Sequence, residues 1–161
     1  MQHLFTPWRL PYVTGPHDDK QLCELCRVAQ APQSEDETHH IVHRGVLHYI
    51  VLNIYPYTTG HVMVVPYAHK ARLSELTQQE LHELTDLASG VEVLLQNTFK
   101  PHGINIGLNL GSCAGAGIAD HLHMHIVPRW SGDTGFMTVT GDTRVVPEDL
   151  RSTWQRLHGK L

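Results

Sequence analysis

His121-Leu122-His123-Met124-His125-Ile126-Val127-Pro128 alternates imidazole and apolar side chains with a period of two, the repeat of a β-strand. In a strand, Leu122, Met124 and Ile126 enter a core, while His121, His123 and His125 share the other face at spacings of about 6 to 7 Å. One phosphate or one metal ion fits against such a row. Fourteen of the 161 residues are histidine, so a spaced triplet carries little weight by itself. The apolar alternation, the glycine-rich loop before it and Pro128-Arg129-Trp130 at its end are what set it apart.

Gly111-Ser112-Cys113-Ala114-Gly115-Ala116-Gly117 directly precedes the histidine strand. Its small residues let backbone amides approach a ligand, which makes a phosphate cradle or a flexible connection. Ile104 to Leu110 reads as a strand before it. Upstream, Leu76, Leu81, Leu84, Leu87, Val91, Leu94 and Leu95 recur at three- and four-residue steps, predicting one long amphipathic helix from Ser74 to about Lys100. Thr77 with Glu80 forms a capping box within it, and Pro101 and Gly103 stop it.

Three further β segments are expected at Ile41 to Arg44, Val46 to Asn53 and His61 to Pro66, divided by Gly45 and by Tyr55-Pro56-Tyr57-Thr58-Thr59-Gly60. Gln33 to His40 reads as a polar loop, and residues 18 to 30 as a short helix starting near Asp18. Before it lies an irregular arm anchored by Trp8 and Tyr12. Weak strands are expected at 136–139 and 144–145, and a closing helix from about Pro147 places Leu150, Trp154 and Leu157 on one side. The fold class is α+β, with a largely antiparallel five-stranded sheet, one long helix and a C-terminal helix.

A hydrophobic content of 41% with 17% charged residues is that of a globular chain, read here as one domain over 1–161. Its parts are an N-terminal arm and helix to 40, a core over 41–147 and a C-terminal helix over 148–161. The formal charge of −4 leaves no broad basic surface for a nucleic-acid polymer. No apolar run approaches the length of a membrane span, and Pro7, Arg9 and Pro11 interrupt the start, so the expected location is cytoplasmic with no membrane partner. Cys23-Glu24-Leu25-Cys26 has the spacing of half a tetrahedral metal site, and Cys113 stands apart.

The histidine stretch resembles the signature of the histidine triad (HIT) nucleotide hydrolases and transferases. The similarity extends through Leu52-Asn53-Ile54-Tyr55-Pro56-Tyr57, Gly60-His61-Val62-Met63-Val64-Val65-Pro66 and Gly103-Ile104-Asn105-Ile106-Gly107-Leu108-Asn109-Leu110-Gly111, roughly residues 40 to 147. The arm Leu4-Phe5-Thr6-Pro7-Trp8-Arg9 is similar to a bacterial branch that includes diadenosine polyphosphate phosphorylases and hydrolases.

That resemblance implies a HIT-like fold and a catalytic group of His123, His125 and His61. His123 attacks the α-phosphorus of a nucleoside polyphosphate, phosphoramidate or adenylylated substrate, His125 binds a non-bridging oxygen, and His61 stands on the adjacent strand against the same group. It also implies nucleotide contacts from Asn53 to ribose, and from Asn109, Ala116, Gly117, Ile118 and His125. Imidazole suits the role, being largely neutral at pH 7 and forming a labile phosphoramidate.

By the same resemblance Cys23 and Cys26 are joined by His69 and His121 in a structural zinc site, one ion per chain; His39, His40, His43 and His48 are rival ligands. A homodimer is implied, as is a small nucleotide substrate with adenine favoured. One departure stands out. Many members carry Gln four residues before the first triad histidine, where this chain has Gly117, so water and inorganic phosphate both remain open as the second acceptor. Two other function classes are carried: an AMP-binding scaffold with little catalysis, and a catalytic zinc centre that activates water.

Overall fold

In the computed structural model, residues 23–134, 138, 140–141 and 147–161 are described. Within them the first element is α1 (Glu24–Gln30), which buries Leu25 and Val28 one turn apart and stops at Ala31 before Pro32. The expected loop over 33–40 is instead a 3-10 turn at Gln33–Glu35 followed by α2 (Asp36–His39). Asp36 explains the difference. Its buried carboxylate pairs with Arg44 at 2.7 Å, so this polar segment is tied down rather than solvated.

Strands β1 (Ile41–Arg44) and β2 (His48–Leu52) form a hairpin, and β3 (Val62–Pro66) pairs with β2. The hairpin turn is fastened from outside: the Glu83 carboxylate accepts the backbone N–H groups of Val46 and Leu47 at 2.7 and 2.8 Å. A Cβ at Gly45 would collide with that same carboxylate.

Helix α3 (Gln78–Phe99) runs for 22 residues, about 33 Å. It starts four residues later than the apolar period suggests. Leu73–Glu75 is a separate 3-10 turn, and Thr77 is the N-cap itself: its hydroxyl accepts the Glu80 N–H at 3.2 Å while Glu80 accepts the Thr77 N–H at 2.7 Å. Lys100, with φ 49°, ends it.

Strands β4 (Gly103–Leu108) and β5 (Met124–Arg129) complete one sheet of order β1-β2-β3-β5-β4, every pair antiparallel. Here β5 begins at Met124, not at His121. The Leu122 N–H bonds to the Lys70 carbonyl at 2.6 Å, outside the sheet, and pairing with β3 starts at Val64 opposite Met124. The alternation survives: Leu122 and Ile126 are buried in the core with Met124 packed against it.

That core lies between one sheet face and α3, closed by α4 (Leu150–Leu157), whose Leu157 is buried and whose Trp154 indole donates to the Ile41 carbonyl at 2.8 Å. A smaller cluster of Leu25, Val28, Tyr49, Val51 and Val65 packs α1 on the other face. His125, opposite Met63 in the register, belongs to that second face. Among the described residues no helix is long and apolar enough to cross a membrane. The arm with Trp8 and Tyr12, the helix start near Asp18 and the strand at 144–145 lie outside the description; of 136–139 only Thr138 is described, and it is helical.

Candidate active site and metal centre

Helix α1 sets the first half of a cluster that could hold a metal ion, because Cys23 at its N-cap and Cys26 three residues on project from one side. His69 follows β3 and His121 enters from the segment before β5. The four donor atoms lie within 4.8 Å of one another. Cys26 Sγ is 3.3 Å from His69 Nδ1 and 3.4 Å from His121 Nδ1, Cys23 Sγ is 3.4 Å from His121 Nδ1, and the two Nδ1 atoms are 3.3 Å apart. A tetrahedron with ordinary zinc bond lengths has N–S edges of about 3.6 Å and an N–N edge of about 3.4 Å.

The orientation of His121 fits the same role. Its Nε2–H donates to the Pro66 carbonyl at 2.8 Å, which leaves the lone pair on Nδ1, the atom that faces the thiols. Desolvation and then the neighbouring Cys23 push the Cys26 thiol up to about 11, a penalty that a dication at the centre of the cluster reverses. The rival ligands are elsewhere: His39 pairs with Glu35 at 3.3 Å, and buried His48 stands 3.7 Å from Glu83. Among the described residues, His40 and His43 join no such cluster.

Arg44 holds α1 in place. Its guanidinium donates to the Ala29 and Ala31 carbonyls at 3.1 and 2.8 Å, satisfying the open end of the helix, and forks onto Asp36. These bonds tie the helix that carries the cysteine pair to β1 and α2.

Two residues beyond His121, His123 donates its Nδ1–H to the His121 carbonyl at 2.8 Å. The lone pair then sits on Nε2. Burial lowers the pKa of this imidazole and favours its neutral form, in which Nε2 carries a lone pair.

His125 carries the opposite tautomer, fixed by a relay. The Tyr57 N–H donates to His61 Nδ1 at 3.1 Å, so His61 is protonated on Nε2 and donates to His125 Nδ1 at 3.0 Å. His125 is left with a proton on Nε2. Burial, then the proximity of His123, lowers its pKa to about 4, so it acts as a neutral donor at pH 7. The His123 and His125 rings meet edge to face with centroids 4.9 Å apart.

Gly60 leads into His61 with a φ of 80°, which side chains rarely adopt, and a Cβ built there meets Phe99 and Pro128 in tight contacts of 3.1 to 3.3 Å. Asn53 closes the other side: its Oδ1 accepts the Tyr55 N–H at 2.9 Å, and its amide nitrogen is 3.5 Å from His61 Nδ1.

The structure thus gathers His61, His123, His125 and Asn53, and a cleft of about 350 Å³ is lined by Asn109 and His125 together. Ala116, Gly117 and Ile118 are not part of that lining. Ala116 is half-buried, Gly117 is exposed, and Ile118 packs against the α1 cluster. Exposed Cys113 sits in the 3-10 turn Ser112–Ala114, flanked by Gly111 and Gly115 with φ of 88° and 93°. The Tyr57 N–H and the His121 and Pro66 carbonyls, which set the tautomers, left no trace in the sequence pattern, since every residue but proline has the same backbone donor.

A model of the HIT domain matches residues 34–132. The chain belongs to the HIT domain family. This HIT protein is 43% identical over 157 residues to the AP-4-A phosphorylase of Mycobacterium tuberculosis, covering 95% of this chain and 80% of that one. It is 33% identical over 93 residues to the asymmetrical bis(5'-nucleosyl)-tetraphosphatase of Schizosaccharomyces pombe, which covers 58% of this chain and 50% of the relative. A Zn-bound histidine triad family protein from Mycobacterium smegmatis shares the fold, with a TM-score of 0.67 at 23% identity over 86% of this chain and 91% of that one.

Proposed function

We propose that this HIT protein is a nucleotidyl hydrolase/transferase that cleaves diadenosine polyphosphates or related adenosine nucleotides at the α-phosphate through a nucleotidyl-His123 intermediate. The observation that carries the proposal is the pair of opposed tautomers: bare Nε2 on His123 beside protonated Nε2 on His125. A nucleophile and an oxyanion donor are what an in-line attack on phosphorus requires.

In the first step His123 Nε2 bonds to the α-phosphorus. The bond from that phosphorus to its bridging oxygen breaks, and the electron pair leaves with the departing chain. His123 gains positive charge, which the Nδ1–H bond to the His121 carbonyl shares, while His125 Nε2–H meets the charge that grows on the non-bridging oxygens. In the second step an acceptor oxygen attacks phosphorus and the pair returns to Nε2. Inorganic phosphate is the acceptor in this reading, supported by the 43% identity to an AP-4-A phosphorylase and by Gly117, which offers no side chain to position water.

Cys23, Cys26, His69 and His121 would hold one zinc ion. Four protein donors leave no open position, so when bound it supplies a structural cross-link between α1, the segment after β3 and the entry to β5.

The test is incubation with diadenosine tetraphosphate with and without phosphate. ADP with ATP, formed only when phosphate is present, is the expected result; AMP with ATP replaces phosphorolysis by hydrolysis. His123→Ala is expected to abolish turnover and the labelled protein intermediate while AMP binding survives, and undiminished turnover in that variant overturns the proposal. Binding of AMP with no product from the intact protein would make it the scaffold instead.

A further inference from the structure

The face that carries the histidines continues past them. His125, Val127 and Arg129 alternate along β5, and the register sets Gly107 opposite His125 and Asn105 opposite Val127, so the side chains of these residues share that face. Between them runs the cleft of about 350 Å³, which begins at His125 and reaches Arg129 and Asp133. His123 lies before His125 in this row, and the cleft lies after it.

That order matters because attacking and leaving atoms stand in line across the phosphorus. With the α-phosphate held by His125 and attacked from the side of His123, the bridging oxygen departs on the opposite side, into the cleft. We infer that this cleft is the subsite for the departing half of the substrate, a nucleoside polyphosphate, with Arg129 gripping its distal phosphates. The inference rests on the nucleotidyl-transfer proposal.

Three observations shape it. Gly107 supplies no side chain beside His125, and a Cβ built there meets nothing within 4 Å, so the space next to the reacting phosphate is open. Arg129 is held ready: it forks onto Asp133 at 2.6 and 2.9 Å and donates to Asn105 Oδ1 at 2.9 Å. Among the described residues those three bonds use three of the five guanidinium N–H groups, leaving two for a ligand on a side chain that is 46% exposed. Arg129 lies four residue steps along the strand from His125, about 13 Å. A single small leaving group does not span that distance; a polyphosphate chain does.

The test compares two substrates that share the adenylyl half: diadenosine tetraphosphate, and adenosine 5'-phosphorimidazolide, whose leaving group is too small to fill the cleft. Wild type, Gly107→Val and Arg129→Gln are assayed for kcat/KM on both. Gly107 has no positive φ and valine suits a strand, so the first variant fills the cleft without straining the backbone.

The expected result is at least a tenfold fall, in both variants, of the ratio of kcat/KM for the tetraphosphate to that for the imidazolide. A ratio within twofold of wild type in both variants overturns the inference, whether the two activities persist or fall together. Failure of the underlying reaction is separately visible: the wild-type protein then forms no adenylylated His123 from either substrate, and the inference falls with it.

Discussion

His61 donates from Nε2 to His125 Nδ1 at 3.0 Å, and this bond decides which nitrogen of His125 faces the site. The direction of donation originates in the Tyr57 backbone N–H on the far side of the His61 ring. His61 therefore sets the protonation of His125.

His61→Ala is expected to lower kcat/KM roughly 10- to 100-fold, the usual cost of losing a partner that fixes an imidazole tautomer. His61→Gln, whose side-chain amide can also donate to Nδ1, recovers part of the loss. The 15N shifts of His125 distinguish this from general damage: Nδ1 ceases to be a clean acceptor in the alanine variant and is restored by glutamine.

Stability depends on pH in a definite direction. His125 titrates near 4 in the folded protein, below the ordinary value of about 6.5, and burial moves His48 and His123 the same way. Between about pH 6.5 and 4 the unfolded chain binds protons that the folded one refuses, so stability falls as pH falls through that window. For His125 alone the full loss is on the order of 3 kcal/mol. Urea unfolding at pH 7.5, 6 and 5 should show the midpoint descending, with a flatter profile in His125→Asn.

Metal analysis of the purified protein should return one zinc per chain. Cys26→Ser or chelation removes a cross-link between three separate segments, and is expected to lower Tm by roughly 5 to 10 °C, corresponding to about 2 to 3 kcal/mol. Loss of turnover at temperatures where the stripped sample is still folded would contradict a purely structural role and favour zinc-activated water.

Arg44→Ala leaves the buried Asp36 carboxylate unpaired and uncovers the Ala29 and Ala31 carbonyls. The expected cost is about 3 to 5 kcal/mol. Arg44→Lys regains only part of it, because one ammonium cannot fork onto three acceptors. Both variants should also release zinc faster in a competition with a colorimetric chelator, since the cysteine helix is then less firmly seated.

Much of the fold was legible because periodicity records which face is buried. Leu84, Val91, Leu94 and Leu95 are core residues of the long helix as their spacing implied, and Leu122 and Ile126 point away from the histidines. Boundaries were less legible. The apolar period runs through Leu76, but Thr77 and Glu80 begin the helix with reciprocal hydrogen bonds, and the His121 end of the triplet is held by Lys70 rather than by a strand.

The α+β class, the apolar and imidazole faces of the triad segment and the residue types from which a metal site could be made were all readable along the chain. These are properties of composition and spacing along one chain. That His69, rather than His39, His40, His43 or His48, joins Cys23, Cys26 and His121 follows from the folded arrangement, because it depends on where β3 ends relative to α1. The same arrangement also decided that His123 and His125 carry opposite tautomers. Identical side chains two residues apart differ only in the backbone and ring atoms brought against them from elsewhere, and a one-dimensional pattern holds no record of that.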